Sequence, residues 1–215
     1  MAVTLVVTEH SGALSPERLD HYEAVRERVE RVAGARVTTV QYEEVKSLRG
    51  ADAVVLSGSY APWAVHDPGA IERLGDVLRS YDGAVLGICA GMQLQARFAG
   101  GTIRHSSVRP ETGFAAVDVV EQDGLLRGLP SRVEVYQHHS DEIDQLPESF
   151  RVLARSATCA IEAIVDPSRR WWGTQFHPEA ESASALDLRI VEEFIWGITG
   201  EVPALQIMDE ERLAA

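Results

Sequence analysis

The first hundred residues alternate short, β-branched apolar runs with amphipathic stretches, and this alternation limits the chain to a parallel sheet covered by helices. Residues 3–8 (VTLVVT) read as a strand buried on both faces. Ser15 followed by Pro16 supplies an N-cap and a first-turn proline, and Leu19, Tyr22, Val25, Val29 and Val32 recur at helical spacing up to Gly34. Residues 36–40 and 53–57 read as further strands, Ile71, Leu74, Val77 and Leu78 mark a second helix, and residues 84–88 make another buried strand. The pattern predicts an α/β fold, a doubly wound and mostly parallel sheet flanked by helices.

From residue 114 the texture changes to short strand-like pieces at 114–120, 132–136, 150–156, 161–166 and 171–176, which predict an antiparallel section added to the sheet. Leu186, Ile190, Val191, Phe194, Ile195 and Ile198 define a closing helix that Gly200 and Pro203 end. Residues 1–200 are expected to form one domain, and residues 201–215, with Asp209, Glu210 and Glu211, a solvated or partner-binding tail. A chain of 215 residues, 45% hydrophobic, is long enough for a full core.

Charge and composition exclude several classes of function. The net charge is −13, the basic residues are arginines apart from Lys46, and a nucleic-acid footprint is not expected. No run reaches the roughly 18 apolar residues of a membrane span, and Met1 leads directly into a strand-like segment instead of a signal sequence, so a cytoplasmic location is expected. The two cysteines, Cys89 and Cys159, lie in unlike surroundings, which points to one reactive thiol and not to a disulfide scaffold.

Gly87-Ile88-Cys89-Ala90-Gly91 falls where a strand ends and a helix of Met92, Leu94, Gln95 and Phe98 begins. A side chain on so tight a turn is forced into an uncommon backbone conformation, and the flanking glycines remove the Cβ atoms that would clash. The positive end of the following helix favours the thiolate. The competing reading is an inert cysteine in an apolar strand.

A sulfur nucleophile needs a proton donor for its leaving group, and His177 in Gln175-Phe176-His177-Pro178-Glu179 follows a strand end, where α/β active sites collect. Pro178 biases His177 toward extended geometry, in which Glu179 shares its face and orients the imidazole. Oxyanion donors are expected from the Ala90 N–H and from the Gly58–Ser59 turn after the preceding strand, although a serine- and glycine-rich turn has a bland reading too. His139 and Asp141 read as a structural or substrate-lining pair in preference to a metal site, and the chemistry calls for no metal and no cofactor.

Taken together, Gly87-Ile88-Cys89-Ala90-Gly91-Met92-Gln93 and Gln175-Phe176-His177-Pro178-Glu179 resemble the two signatures of class I, or triad-type, glutamine amidotransferases. The resemblance extends through Gly100-Gly101-Thr102-Ile103, Glu111-Thr112-Gly113, His139-Ser140-Asp141 and Cys159-Ala160-Ile161-Glu162-Ala163-Ile164, and is nearest to the glutaminase domains of GMP synthetases. It implies a flavodoxin-like fold and a triad of Cys89 as nucleophile, His177 as proton shuttle and Glu179 as its partner. It also implies that Gln93, His139, Ser140 and Asp141 lie along the glutamine site, that Cys159 is structural, and that glutamine is the substrate.

The family's Ser-Gly-Gly-Pro loop appears here as Ser57-Gly58-Ser59-Tyr60-Ala61-Pro62, with Trp63 next to it. A serine at positive φ is strained where glycine is not, so this loop is expected to be reshaped, to flip when a partner docks, or to serve a different γ-glutamyl substrate. The chain has no phosphate-binding Gly-x-x-x-x-Gly-Lys loop for using ammonia itself, so a separate ammonia-accepting synthase is the expected partner. A stand-alone γ-glutamyl hydrolase is the alternative, and the third reading is a catalytically silent regulatory subunit.

Overall fold

A computed structural model of the chain describes residues 1–107, 112–122, 124–180, 190, 191, 194 and 195. Its strands are β1 (Val3–Val7), β2 (Val37–Gln41), β3 (Ala53–Leu56), β4 (Ala84–Ile88), β5 (Thr102–His105), β6 (Gly113–Val119), β7 (Arg132–Gln137), β8 (Asp141–Gln145), β9 (Arg151–Arg155), β10 (Ala163–Asp166) and β11 (Trp171–Thr174). The helices are α1 (Pro16–Ala33), α2 (Pro68–Arg79) and α3 (Ala90–Phe98).

Nine of the strands make one sheet in the order β2-β1-β3-β4-β11-β10-β9-β6-β7. The pairs from β2 to β11 are parallel, and those from β11 to β7 are antiparallel. The change of texture in the sequence therefore marks the change of strand direction.

Alternation along each strand divides the core in two. Val3, Leu5, Val7, Val55, Leu86 and Ile88 face α1 and the buried helical residues Ile190, Phe194 and Ile195. Val6, Val54, Leu56 and Val85 face α2 and α3 through Ile71, Leu74, Leu78 and Leu94. Helices thus cover both faces, as the sequence pattern predicted. Burying Tyr22, Val25 and Val29 fixes α1, each contributing on the order of 2 kcal/mol.

The helix ends follow local chemistry. The Ser15 hydroxyl accepts from Arg18 N–H at 3.4 Å, and Gly34 closes α1 at φ 58°, a left-handed conformation free of steric cost for glycine. α2 begins at Pro68, ahead of its first apolar marker, because Asp67 caps it by accepting from Gly69 N–H at 2.8 Å.

β5 and β8 form a separate two-stranded sheet that the sequence pattern did not predict. β5 is short, polar and largely exposed, so only the Ile103–Ile143 pairing carries an apolar signal. Trp171 and Trp172 pack on opposite faces, against Phe150 and Phe194, which fits the expectation of strand packing. Of the closing helix, Ile190, Val191, Phe194 and Ile195 are helical and buried. Its remaining markers (Leu186, Ile198, Gly200), Glu111 and the 201–215 tail lie outside the described residues.

Candidate active site

β1, β3, β4 and β11 all end on one edge of the sheet, and the loops after them supply the candidate groups. Cys89 ends β4 and starts α3 with φ 52° and ψ −106°. Arg170 is the only other described non-glycine residue with positive φ. The turn is tied down on every side: Cys89 N–H donates to Thr174 O at 2.7 Å, Gly91 N–H to Ser57 O at 3.1 Å and Gln93 N–H to Cys89 O at 3.1 Å.

The flanking glycines are required by contact. A Cβ on Gly91 would sit 2.5 Å from Leu56 O, and one on Gly87 2.6 Å from backbone atoms of Gly91 and Met92. Strand and helix approach this closely only because both side chains are missing. Cys89 is buried, Gln175 Nε2 donates to its sulfur at 3.4 Å, and the sulfur lies 3.9 Å from His138 O.

His177 Nδ1 lies 2.8 Å from Glu179 Oε1, and Nε2 3.4 Å from His138 O. Glu179 is buried, and Arg28 of α1 donates to its backbone carbonyl. The pair does not form by the extended geometry expected from Pro178. Residues 178–180 bend into a turn closed by Ala180 N–H to His177 O at 3.2 Å, so the turn brings the carboxylate back to Nδ1. Burial works against a charged imidazole, but its interactions with Glu179 and with the Cys89 sulfur outweigh this and hold the pKa of His177 well above the ordinary value. Glu179 fixes the ring so that Nε2 is the nitrogen free for proton transfer.

The Gly58–Ser59 turn lies against this pair. A Cβ on Gly58 would be 2.9 Å from His177 Cε1 and 3.5 Å from Cys89 Cβ, so glycine is the residue that fits. Ser59 is not at positive φ, so the backbone strain expected of a serine at such a position is not present here. Among the described residues neither Ser59 N–H nor Ala90 N–H is paired with an acceptor.

The residues expected along the glutamine site are brought together, with an unexpected bonding pattern. Gln93 is 2% exposed and its amide is saturated: Trp63 Nε1 donates to Oε1 at 3.1 Å, and Nε2 donates to Asp141 O at 2.7 Å and Gln175 Oε1 at 3.1 Å. His139 is buried between Gln137 Oε1 at 2.9 Å and Asp141 O at 3.2 Å, and burial pushes its pKa down to about 4. Ser140 is exposed, and its carbonyl accepts from Ser106 N–H at 2.9 Å. The Asp141 carboxylate faces His105 Nδ1 at 3.0 Å.

His139, Cys159 and Glu162 place ligand-type atoms within 4.8 Å of one another. Most of these atoms already face protein groups: Gln137 Oε1 and Asp141 O lie against the two ring nitrogens of His139, Gln137 Nε2 donates to Glu162 Oε1 at 2.8 Å, and the Cys159 thiol donates to Ile161 O at 3.3 Å, while Glu162 Oε2 is buried without a partner among the described residues. Burial pushes the Cys159 thiol and the Glu162 carboxyl toward their protonated forms.

Several residues of this site were missed in the sequence. His21, Tyr60 and His138 line a small cavity with Gly58, His177 and Glu179. Burial lowers the pKa of His21, with Glu179 opposing and His177 reinforcing the shift. Glu9, wholly buried after β1, collects hydrogen bonds from the 59–61 segment. Gln175 stood within a recognised motif and Tyr60 within the altered 57–62 loop, whereas Glu9 and His21 carry no local signal.

Comparison with known proteins agrees with this geometry. The family described as "Glutamine amidotransferase class-I" matches residues 19–198. Over 162 residues, 74% of this chain, the sequence is 40% identical to the glutamine-hydrolyzing GMP synthase of Syntrophomonas wolfei, of whose length it spans 30%. It is 33% identical to one subunit of the glutamine-hydrolyzing GMP synthase of Pyrococcus abyssi, over 66% of this chain and 72% of that one. The crystal structure of a provisionally assigned GMP synthase subunit from Thermoplasma acidophilum superposes with a TM-score of 0.76 at 31% identity, covering 92% of this chain and 94% of that one. The chain belongs to the class I glutamine amidotransferase family.

Proposed function

We propose that this chain is a glutaminase: it hydrolyses the side-chain amide of glutamine through a thioester on Cys89 and supplies the ammonia to a separate synthase. The observation that carries the reading is the convergence of Cys89, His177 and Glu179 at one edge of the sheet in a member of this family. Cys89 Sγ attacks the amide carbonyl, and the Ser59 and Ala90 N–H groups receive the developing oxyanion. His177, its ring held through Nδ1 by Glu179, passes the thiol's proton from Nε2 to the leaving nitrogen, which departs as ammonia as the C–N bond breaks. His177 then takes a proton from water, which attacks the thioester and releases glutamate. Gln93 and His139 act from behind, fixing the 138–141 segment whose His138 carbonyl faces the sulfur.

The acceptor is read from the relatives. Those named as one subunit of a glutamine-hydrolyzing GMP synthase support a complementary synthase subunit of that type as partner. The acidic surface and the 201–215 tail are candidates for its docking surface, and the cytoplasm is the compartment that fits such an enzyme. No helix among the described residues is long and apolar enough to cross a membrane.

A second reading, a free-standing γ-glutamyl hydrolase, draws on the Trp63–Gln93 hydrogen bond, which occupies the amide expected to meet glutamine. One experiment separates the two: glutamate and ammonia release by the isolated chain, with Cys89→Ala as control and a γ-glutamyl anilide as competing substrate. Glutamine turnover that is slow, dependent on Cys89 and stimulated by a synthase supports the first reading. Fast turnover of the anilide with glutamine ignored overturns it. Cys89→Ala lowers glutamine hydrolysis by at least about 10³-fold, since no other group at the site replaces the nucleophile.

A further inference from the structure

We propose that Glu9 is a positioning residue of this site: its buried carboxylate, paired with Arg18, clamps the 57–61 loop in the shape that presents the Ser59 N–H beside Cys89. The inference rests on the glutaminase reading and names a residue that reading does not include.

The clamp is built from contacts on every side of one carboxylate. Glu9 has no solvent exposure. Tyr60 N–H donates to Oε2 at 2.9 Å, and Ala61 N–H and Ser59 Oγ each donate to Oε1 at 3.0 Å. Arg18 Nη1 supplies the compensating charge at 2.9 Å from Oε2, and its guanidinium lies 4.1 Å from the centre of the Tyr60 ring. A carboxylate in this position accepts from the loop in a way that no neutral residue of its size reproduces.

The loop is also held from its carbonyl side. Gly58 O is approached by Ser57 Oγ at 2.8 Å, Thr8 Oγ1 at 3.1 Å and the Tyr22 hydroxyl at 3.1 Å. The Tyr22 hydroxyl lies within reach of both Gly58 O and Glu9 Oε2, the latter 3.3 Å away, so its one hydrogen can serve either half of the clamp. Burial beside Glu9 raises the phenol pKa well above its usual range, so this hydrogen is retained.

Peptide geometry converts the anchors into a direction. The peptide bonds are trans, so the N–H of Ser59 lies on the edge of its peptide plane opposite Gly58 O. Pinning that carbonyl against Thr8 and Tyr22 turns the Ser59 N–H away from them. Glu9 consumes the next two N–H groups, leaving Gly58 and Ser59 as the donors of this segment without an intramolecular acceptor among the described residues, and of these it is the Ser59 N–H that shares a peptide plane with the pinned Gly58 carbonyl. Gly58, where a Cβ would meet Cys89 and His177, keeps the turn in contact with the reacting pair.

The test is Glu9→Gln, which keeps the size and loses the charge and one acceptor. We expect kcat for glutamine to fall about 10- to 100-fold, within the range for a displaced oxyanion donor, with KM changed less than about threefold. Alkylation of Cys89 by iodoacetamide, which passes through no oxyanion, keeps its rate within about twofold, whereas a general collapse of the site would lower it together with kcat. Amide exchange at Tyr60 and Ala61 accelerates at least about tenfold as the clamp opens. Tyr22→Phe gives the same pattern at about three- to tenfold in kcat and replaces Glu9→Gln if that variant does not fold. Unchanged kcat, unchanged exchange, or kcat and alkylation falling in parallel overturns the proposal. A wild-type chain without glutamine turnover, but with exchange that responds to Glu9→Gln, removes the glutaminase reading and leaves the clamp standing.

Discussion

The turn at Cys89 and the loop at 57–61 deliver groups to the same place by opposite means. The turn takes its shape from its own strand, helix and two glycines, and is held by backbone alone: the missing side chains let it pack on the backbone of β3, and its N–H groups donate to Ser57 O and Thr174 O. The loop has little internal order and is held by groups from β1 and α1, among them Thr8, Glu9, Arg18 and Tyr22. A locally built element tolerates no change in its own residues, whereas a remotely held one also fails when distant residues change.

Substitutions that strike the two elements differently test this contrast. Gly91→Ala forces a Cβ against the Leu56 backbone and is expected to cost about 3 kcal/mol of stability, read as a lower denaturant midpoint at unchanged m-value. Gly58→Ala meets the movable ring of His177 instead of backbone. It should lower kcat about 10- to 100-fold with a loss of stability under about 1 kcal/mol. Equal stability losses in the two variants would erase the distinction.

Charge sharpens the comparison further. His177 donates its proton only while cationic, so activity is lost as pH rises through its raised pKa. Glu179→Gln removes a neighbour that raises this value, and the alkaline limb of the kcat profile should move acidward. An unmoved limb would show that Glu179 does not act on the imidazole.

The smallest effect concerns the support behind the site. His139 is neutral in the fold with its pKa pushed down to about 4, while the unfolded chain protonates near the ordinary imidazole value. Its contribution is therefore complete above about pH 6.5 and is lost as pH falls toward 4. In His139→Gln that part of the stability–pH slope should flatten when followed by urea unfolding.

Legibility in the sequence tracked how locally each feature is determined. The parallel strands, α1 and the Cys89 turn announced themselves because period-two and helical patterns, caps and glycines act within a few residues. β5 and β8 escaped because two short strands with one apolar residue each stabilise each other only once paired. His177 and Glu179 were recognised as partners, but by an extended geometry where a turn does the work. Glu9 escaped entirely: a lone acidic residue after a strand looks like solvated surface until the fold buries it beneath two N–H groups of a loop some fifty residues away.

The sequence by itself determined the doubly wound architecture, the switch to antiparallel strands, and the placing of a sulfur nucleophile at a strand–helix turn, since each follows from patterns or sterics along the chain. Only the tertiary structure decided that Ser59 avoids positive φ, that Gln93 is saturated by Trp63, Asp141 and Gln175, and that a buried carboxylate holds the loop beside Cys89. Those outcomes depend on which donors and acceptors from distant segments meet when water is excluded, and burial makes each unpaired group costly enough to settle the arrangement.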